Sequence, residues 1–400
     1  MKKLLPILFL FSVFVCNGCD EVQENIKFSE QIPILAWHGI APEETTIVRY
    51  QELRESGITH NFSAFLDAEA VAKALEIAQK TGVKIIVWCP ELKTNTEKTV
   101  RRFMNHPAVA GYFLKDEPNR SLFPELAEWV KKIRAIDDNH FCMINLYPNY
   151  ASEEQLGVKT YREYVDLFIK EVPVQLLTFD HYPIIGDSIR GNWYENLEIF
   201  SEEARKAGKP FWAFALSVVF GSCHVPIVAE LRLQVYSNLA YGAQGIQYFT
   251  YWTPKNDKWN FRHGPITLES KRSEVYDRIK LVSEEIKNLS GVFLDAKVVS
   301  VAHTGDTIPL GTKRLIKLPL LIKVLETKGT GAVVSVLEKG DDSFLVVVNR
   351  DFKNTMMLTI EGDSTVKKIL KDGSLVPASA YIRTMEIDPG DAAIYTWVNK

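Results

Sequence analysis

The sequence predicts a protein of two domains: an α/β domain with the architecture of a (β/α)8 TIM barrel, followed by a C-terminal all-β sandwich. Two observations support this fold class. Eight strand-like apolar runs recur in the first part of the chain, with a helical pattern between most of them. From Val292 onward, short alternating runs are separated by Gly, Asp, Asn and Pro turns instead. The expected boundaries are residues 31–290 for the barrel and 291–400 for the sandwich.

Each of the eight runs is a short apolar stretch bounded by turn residues, which is typical of a buried parallel strand. The predicted barrel strands are Pro33–Trp37, Ile58–Ser63, Val83–Trp88, Val109–Leu114, Phe141–Leu146, Val174–Phe179, Pro210–Ala215 and Gly245–Tyr251. A doubly wound open sheet is the alternative. Such a sheet more often has a glycine-rich first turn, whereas residues 37–40 contain no phosphate-binding loop. The pattern therefore favours the barrel.

Local signals mark the ends of several predicted helices. Asp67 is expected to cap the helix after the second strand, and Gly82 to end it. Ser121 is expected to cap the helix after the fourth strand. The last two helices of the barrel are predicted from Ile227 to Tyr241 and from Ser270 to Leu289.

The C-terminal region is predicted to contain at least seven short strands. They are Lys297–Ala302, Val333–Leu337, Phe344–Asn349, Met356–Ile360, Thr365–Ile369, Met385–Ile387 and Ala392–Thr396. An apolar insert, Ile308–Leu325, follows the first of them. The pattern assigns no structure to this insert, and a hairpin that packs back on the barrel is one interpretation.

Composition excludes some classes of function. The chain has 400 residues, 24% of them charged, with a net charge of −3. This balance gives no reason to expect a nucleic acid as a partner. Aromatic residues make up 11% of the chain and include eight tryptophans, a content that suits a surface that stacks on sugar rings. No cofactor is predicted.

The N-terminus has the pattern of a targeting segment. Two lysines precede the apolar run Leu4–Val15, which is too short to span a bilayer comfortably. The sequence around Cys19 resembles the cleavage site of bacterial lipoproteins, and the acidic residues after it resemble the surface-export signal of Bacteroidetes lipoproteins. The resemblance implies a signal peptide over residues 1–19, lipidation of Cys19, a tether over 20–30 and a location in the cell envelope. A soluble secreted or periplasmic protein is the alternative.

The fourth strand ends in a group of charged residues. The apolar run Val109–Leu114 stops at Lys115, Asp116 and Glu117, and Pro118 prevents further pairing. Two adjacent carboxylates are costly at the end of a buried strand unless solvent, partners or a substrate meet them. Active sites of (β/α)8 barrels lie at the C-terminal ends of their strands. This position is therefore the main candidate for catalysis.

Polar or aromatic side chains follow seven of the eight predicted strands, while the strand bodies stay apolar. A ring of this kind predicts a pocket for a polyhydroxylated ligand, that is, a carbohydrate. The candidate catalytic residues are Glu117, Asp180 and Asp116. The candidate substrate-binding residues are His38, Asn61, Glu91, Asn145, Tyr147, His181, Tyr182 and Trp252.

Over residues 32–290 the chain resembles the large clan of (β/α)8 glycoside hydrolases that includes families 5 and 42. Its most specific motif, Asp116-Glu117 followed by proline, is similar to the Asn-Glu-Pro of that clan, in which the glutamate is the acid/base. The resemblance implies that Glu117 is the proton donor and that Asp116 replaces the asparagine that contacts the sugar 2-hydroxyl. It also implies that Tyr182 and Trp252 take the positions of the sixth-strand and eighth-strand residues that contact the sugar.

One departure from the clan is important. The clan's nucleophile is a glutamate after the seventh strand, and residues 209–217 contain no carboxylate. Asp180 could act instead, as a nucleophile about 5 Å from the acid or as a base at roughly 6.5–9.5 Å. Alternatively, Asp116 and Glu117 resemble the Asp-Glu pair of substrate-assisted hexosaminidases, which need no protein nucleophile. The third interpretation is a glycan-binding protein that has lost hydrolysis.

Simpler structural roles are open for the same residues. Glu117 and Asp116 could form a salt bridge at the barrel rim with Lys115 or Arg120. Asp180 could serve only to orient His181. A catalytic metal is not expected, because the first strand lacks the His-x-His signature that is usual in barrel metalloenzymes.

Overall fold

The computed structural model describes residues 31–255 and 258–399. The expected signal peptide, the tether and the lipidation site at Cys19 lie outside the described residues. Within the described ranges the chain forms a barrel domain followed by a β-sandwich, as the sequence predicts.

Eight parallel strands form a closed barrel in chain order, and the last strand pairs with the first. The strands are β1 (Ile34–Trp37), β2 (His60–Phe62), β3 (Lys84–Val87), β4 (Val109–Asp116), β5 (Phe141–Leu146), β6 (Leu177–Phe179), β7 (Phe211–Leu216) and β8 (Gly245–Phe249). Closure is set by the register of β1 on β8, where Ile34 lies opposite Ile246. Because the barrel is closed, every strand delivers its C-terminal residues to one mouth.

Helices surround the barrel, with short ones in the loops near the mouth. They are α1 (Ile47–Glu55), α2 (Ala68–Thr81), α3 (Pro90–Thr94), α4 (Thr96–Phe103), α5 (Phe123–Arg134), α6 (Glu153–Leu156), α7 (Tyr161–Glu171), α8 (Trp193–Lys206), α9 (Val228–Ala240), α10 (Glu274–Asn288) and α11 (Ser290–Phe293). A short hairpin, Ile184–Ile185 with Ser188–Ile189, lies between β6 and α8.

The expected ends of α2 are confirmed, but the expected start of α5 is wrong. Asp67 accepts a hydrogen bond from the Ala70 amide, and Gly82 ends α2 in the left-handed region at φ 69°. Ser121 does not cap α5. Its own amide is instead bound by the Asn119 side chain at 2.9 Å, which starts a 3-10 turn ahead of the helix. Asn119 is the residue before this turn, so its side chain, and not that of Ser121, caps the free amide there.

An aromatic cluster fills the barrel interior below the mouth. Trp37 contacts Phe62, Phe113 and Phe214 with ring centroids 4.6, 5.2 and 5.1 Å apart. Phe62 and Phe113 also contact each other at 4.5 Å. These rings come from the ends of four strands, so they form a rigid floor for any group that lies above them.

The C-terminal domain is a sandwich of two antiparallel sheets. Its strands are β9 (Lys297–His303), β10 (Ile322–Glu326), β11 (Ala332–Lys339), β12 (Asp342–Asn349), β13 (Met356–Gly362), β14 (Lys367–Ile369), β15 (Leu375–Val376), β16 (Thr384–Ile387) and β17 (Ala392–Val398). One sheet has the order β9-β11-β12-β17-β14-β15 and the other β10-β13-β16. The insert Ile308–Leu325 is not a hairpin, because its end forms β10 and pairs with β13.

The sandwich contacts the barrel through α9, which packs against β11 and β12. The hydroxyl of Tyr241 lies 2.8 Å from His303 Nε2, and Ser335 Oγ donates to the Ala240 carbonyl at 2.7 Å. These are buried polar contacts, so the two domains share one interface. In the two ranges that the structure describes, no helix combines the length and the apolar character needed to cross a membrane.

We expect Gly111→Ala in β4 to destabilise the barrel. A Cβ at Gly111 would lie 2.5 Å from the Phe141 carbonyl oxygen, a backbone atom that can move only with β5. Such overpacking costs about 1–3 kcal/mol. The matched control is Gly191→Ala, where a Cβ meets no atom within 4 Å. Thermal unfolding should show a clear loss for the first variant only, and equal melting of both variants would contradict this packing.

Candidate active site

Glu117 follows directly after β4 at the barrel mouth. Its φ of 43° lies in the left-handed region, which residues other than glycine rarely adopt. The conformation is held by a hydrogen bond from the Glu117 amide to the Asn145 carbonyl at 2.8 Å. A register shift between Phe113 and Lys115 precedes it. Strain of this kind costs on the order of 1–3 kcal/mol and clusters at functional sites.

Asn145, near the end of β5, connects two of the candidate carboxylates. Its Nδ2 donates to Asp116 Oδ1 at 3.0 Å and to Asp180 Oδ1 at 3.1 Å. Its Oδ1 accepts from Thr178 at 2.9 Å, and Gln247 donates to the same threonine hydroxyl at 2.8 Å. The network therefore crosses the barrel from β8 to β4. Because both carboxylate oxygens lie about 3 Å from one nitrogen, they are within about 6 Å of each other.

Burial raises the pKa values of all three carboxyl groups, and neighbouring carboxyl charges raise those of Glu117 and Asp180 further. Burial, followed by the charge of Asp116, raises the pKa of Glu117 from 4.5 to about 7. Burial, followed by the charges of Glu117 and Asp116, raises the pKa of Asp180 well above its ordinary range. Asp116 keeps contact with solvent, yet the surrounding protein still raises its pKa by burial. The cluster therefore retains protons near neutral pH that isolated carboxyl groups would release.

The groups differ in what opposes this shift. The Asn145 amide favours the ionised forms of Asp116 and Asp180, and Lys115 also lowers the pKa of Asp116. For Glu117, burial and the charge of Asp116 both raise the pKa. With a pKa of about 7, the Glu117 carboxyl is still protonated in much of the population near neutral pH, the state that a general acid requires.

The simpler salt-bridge role is not what the structure shows for Arg120. Its guanidinium lies 2.6 Å from Glu171 Oε1 on α7. Likewise, Asp180 Oδ1 accepts a hydrogen bond from Asn145 and not from the neighbouring His181. The His181 imidazole is buried, which lowers its pKa to about 3, and its ring packs edge-on against Tyr150 at 5.0 Å.

Aromatic side chains line the mouth around the carboxyl groups. Burial and then all three carboxyl groups raise the pKa of Tyr147, which places its hydroxyl close to the cluster. Tyr182 is buried and packs on Phe249 at 5.0 Å.

Tyr150 and Arg190 also lie at the mouth, and the sequence did not predict them. Arg190 lies 4.5 Å from the Tyr150 ring centroid, and Tyr150 is 41% exposed. The only sequence signal was the position of Tyr150 just beyond β5.

Three of the expected binding residues make structural contacts that differ from the predicted contact with a ligand. Asn61 is fully buried, and its amide holds the loop after β1 by accepting from the Ile40 amide at 2.9 Å. It is therefore not open to a ligand. Glu91 on α3 accepts from the Ala68 amide at 3.3 Å and so supports the start of α2. Trp252 is only 6% exposed and lies 5.3 Å from the Arg49 guanidinium, so it offers little surface as a platform.

Two cavities flank the mouth. One of about 710 Å³ adjoins Asp116 and is lined by aromatic residues that include Trp88 and Trp129. Another of about 340 Å³ is lined by His38 and Trp252. Ala64 contributes to both, so the cavities are neighbours. Volumes of this size accommodate small ligands such as short saccharides.

The position after β7 holds no carboxyl group. Ser217 follows the strand, is buried, and donates to the Thr250 carbonyl at 2.9 Å. The next acidic residue along the chain, Glu230, caps the start of α9 by accepting from the Ile227 amide at 3.1 Å. In the described part of the chain, no group of three His, Cys, Asp or Glu side chains is arranged to hold a metal ion.

No protein-family model matches this sequence, and no curated protein matches it. Similar solved structures do exist. A β-galactosidase from Bacillus circulans sp. alkalophilus is 9% identical with a TM-score of 0.65, over 92% of this chain and 99% of that one. A GH42 β-galactosidase from G. stearothermophilus is 9% identical with a TM-score of 0.61, over 93% and 99%. An Anoxybacillus α-amylase is 13% identical with a TM-score of 0.52, over 94% and 95%.

These similarities show the fold, a (β/α)8 barrel followed by β-sheets, and at such low identity they show nothing more. The candidate site therefore depends on the geometry of this chain alone.

The raised pKa of Glu117 predicts a pH-dependent stability. Between pH about 4.5 and 7 the unfolded chain releases a proton that the folded site keeps, so the free energy of unfolding falls as pH rises. Glu117→Gln cannot ionise and removes this loss. We expect its advantage over wild type to grow across that window to about 1–3 kcal/mol, and then to stay constant.

Urea unfolding at pH 4.5, 6 and 8 measures this advantage. The exposed residue Glu154 supplies the control, Glu154→Gln, whose effect should not depend on pH in this way. A constant difference between Glu117→Gln and wild type would show that the Glu117 carboxyl is not perturbed.

Proposed function

We propose that this protein is a glycoside hydrolase that cleaves a polysaccharide or a glycan fragment, with Glu117 as the general acid/base. The observation that carries the proposal is the group of three carboxyl groups at the barrel mouth, all with raised pKa values, in which Glu117 has a pKa of about 7. A carboxyl with this pKa can give a proton to a departing glycosidic oxygen near neutral pH.

The second carboxylate in this proposal is Asp180. It is buried at the end of β6, where burial and the neighbouring charges raise its pKa well above the ordinary range, while Asn145 fixes its orientation and opposes part of that shift. After Glu117 protonates the leaving oxygen and the bond to the sugar breaks, Asp180 attacks the anomeric carbon or activates the water that does so. Asp116 shares the same amide and orients the sugar, and Tyr147, Tyr182 and the buried His181 belong to the surrounding shell.

A second candidate is a substrate-assisted reaction of the hexosaminidase type. In it Asp116 orients an acetamido group of the substrate and Glu117 supplies the proton. It is favoured by the absence of a carboxyl group after β7 and by the contact of Asp116 with the 710 Å³ cavity. A non-catalytic glycan-binding protein is the third candidate, and it rests on the same missing carboxyl group.

The proposal for the location is a cell-envelope lipoprotein anchored through Cys19. Its support is the sequence of the leader, and the alternative is a secreted or periplasmic protein. Palmitate labelling of wild type and Cys19→Ser in a bacterial host would distinguish the two.

Glu117→Gln should lose at least about 10²-fold in sugar release from a broad pool of plant and host glycans, the usual worth of general acid catalysis. The loss should be much smaller for an aryl glycoside with a dinitrophenyl leaving group, which departs without protonation. Glu154→Gln is the control and should keep wild-type rates. Equal losses on both substrates would remove Glu117 from the role of acid, and wild-type turnover by the variant would end the assignment.

The two aspartates should separate the candidate mechanisms. If Asp180 is the second carboxylate, Asp180→Asn loses activity on all substrates, whereas Asp116→Asn keeps measurable turnover. If the reaction is substrate-assisted, only N-acetylated sugars are cleaved and Asp116→Asn suffers the larger loss. Ligand-induced stabilisation without turnover by any form would favour the binding protein.

A further inference from the structure

Residues 307–325, which follow β9 and include the first four residues of β10, have an unusual composition. This segment contains four basic residues and no acidic residue. Lys313, Arg314, Lys317 and Lys323 are all exposed. Only limited pairing is seen: Lys313 lies 3.6 Å from Glu198, and Arg314 donates to the Gly305 carbonyl at 2.8 Å. The segment therefore presents a positive surface on a chain whose net charge is negative.

The same segment also exposes large aliphatic side chains. Leu320 is 96% exposed and Ile316 is 92% exposed, which makes them the most exposed large apolar residues of the described ranges. Leu310, in the same segment, is 68% exposed. Isolated exposed apolar residues are ordinary, but three of them within eleven residues of one basic segment indicate a surface that interacts with a partner.

The backbone of the segment is anchored to the sandwich, so these side chains are presented on a fixed support. Leu315, Leu318 and Leu321 pack against the sandwich core, while Ile316 and Leu320 between them point outward. A cavity of about 330 Å³ lies beneath, lined by residues that include Leu320 and Trp397. Partly buried and exposed residues therefore alternate along this irregular stretch. The exposed side chains are Ile316 and Leu320, and lysines lie near them in the sequence.

We propose that the 307–325 segment docks on an anionic lipid surface. Ile316 and Leu320 would enter the boundary between headgroups and acyl chains, and the lysines would contact the anionic headgroups. Surfaces that combine inserted aliphatic side chains with flanking basic residues bind membranes in this way. The proposal needs neither the candidate reaction nor the lipid anchor proposed for Cys19.

Charge complementarity favours a lipid surface over a second copy of this chain. A symmetric dimer through the segment would bring the basic residues of one copy against those of the other, and such like-charge contacts are costly. An anionic surface instead neutralises all of them at once. The exposed aliphatic side chains are likewise covered by acyl chains, which need no shape match.

Only the start of the segment is shown to lie near the barrel mouth. Gly311 abuts Glu195 in the first turns of α8. The Asn149 amide, in the loop after β5, donates to Asn196 of the same helix at 2.7 Å. Leu320 lies toward the other end of α8, because it lines a cavity with Val299, and Arg205 in the last turn of that helix donates to the carbonyl of the neighbouring Val298.

The test is co-sedimentation with phosphatidylcholine vesicles that contain or lack 30% phosphatidylglycerol. The protein would be residues 31–400, which hold all eight barrel strands and both sheets of the sandwich and omit the N-terminal apolar run. We expect binding to the anionic vesicles that weakens with salt. Ile316→Ser with Leu320→Ser should reduce binding at least about tenfold, and Lys313→Gln with Lys317→Gln should cost roughly fivefold for each lysine.

Leu66→Ser is the matched control, because Leu66 is 80% exposed but belongs to the barrel, outside the segment. It should bind as wild type does, and all variants should keep their melting temperature. Absence of wild-type binding to anionic vesicles, or equal binding by the Ile316/Leu320 variant, would overturn the proposal. A concentration-dependent dimer that Ile316→Ser abolishes would assign the patch to a second copy instead.

Discussion

The site depends on one buried hydrogen-bond network, which runs from Gln247 through Thr178 to Asn145 and ends on two carboxyl groups. Two acidic side chains this close repel each other, and burial increases the cost of each charge. The Asn145 amide offsets part of that cost, because each of its two N–H groups meets one carboxylate. Its own orientation is in turn fixed by the threonine hydroxyl. A buried network stabilises a single arrangement only when its members are satisfied together.

The fold supports this network from below and from the side. Rings from four strands close the barrel beneath the mouth, so the polar groups stand on a floor that cannot easily adjust. The shift in the pairing of β4 with β5, and the left-handed backbone of Glu117, then place its carboxyl beside the other two. The strain at Glu117 and the raised pKa values both oppose folding. Such local costs are expected where a site is selected for chemistry rather than for stability.

Much of the fold could be predicted from the sequence, because its signals are local. Alternation of strand and helix patterns, the cap at Asp67 and the turn at Gly82 each depend on neighbouring residues. The position of Glu117, Asp116 and Asp180 at one mouth follows from barrel closure. The contacts of Asn145 could not be predicted, because they join residues from β4 to β8. Asn61 looked like a ligand contact for the same reason: its burial under the β1 loop depends on a partner 21 residues away.

The electrostatics distinguish a reactive cluster from an ordinary charged rim. In a rim salt bridge the opposite charge lowers the pKa of a carboxyl group, whereas here burial raises the pKa values of all three, and like charges raise those of Glu117 and Asp180 further. Arg120, the obvious cation nearby, is paired with Glu171 instead. The missing carboxyl group after β7 does not remove this property, because Asp180 at the end of β6 shares the Asn145 amide with Asp116, and the charge of Glu117 raises its pKa. Placing three carboxyl groups together in a partly buried site opposes folding, and glycan binding alone does not require it, which favours the proposed chemistry at the mouth over a binding role.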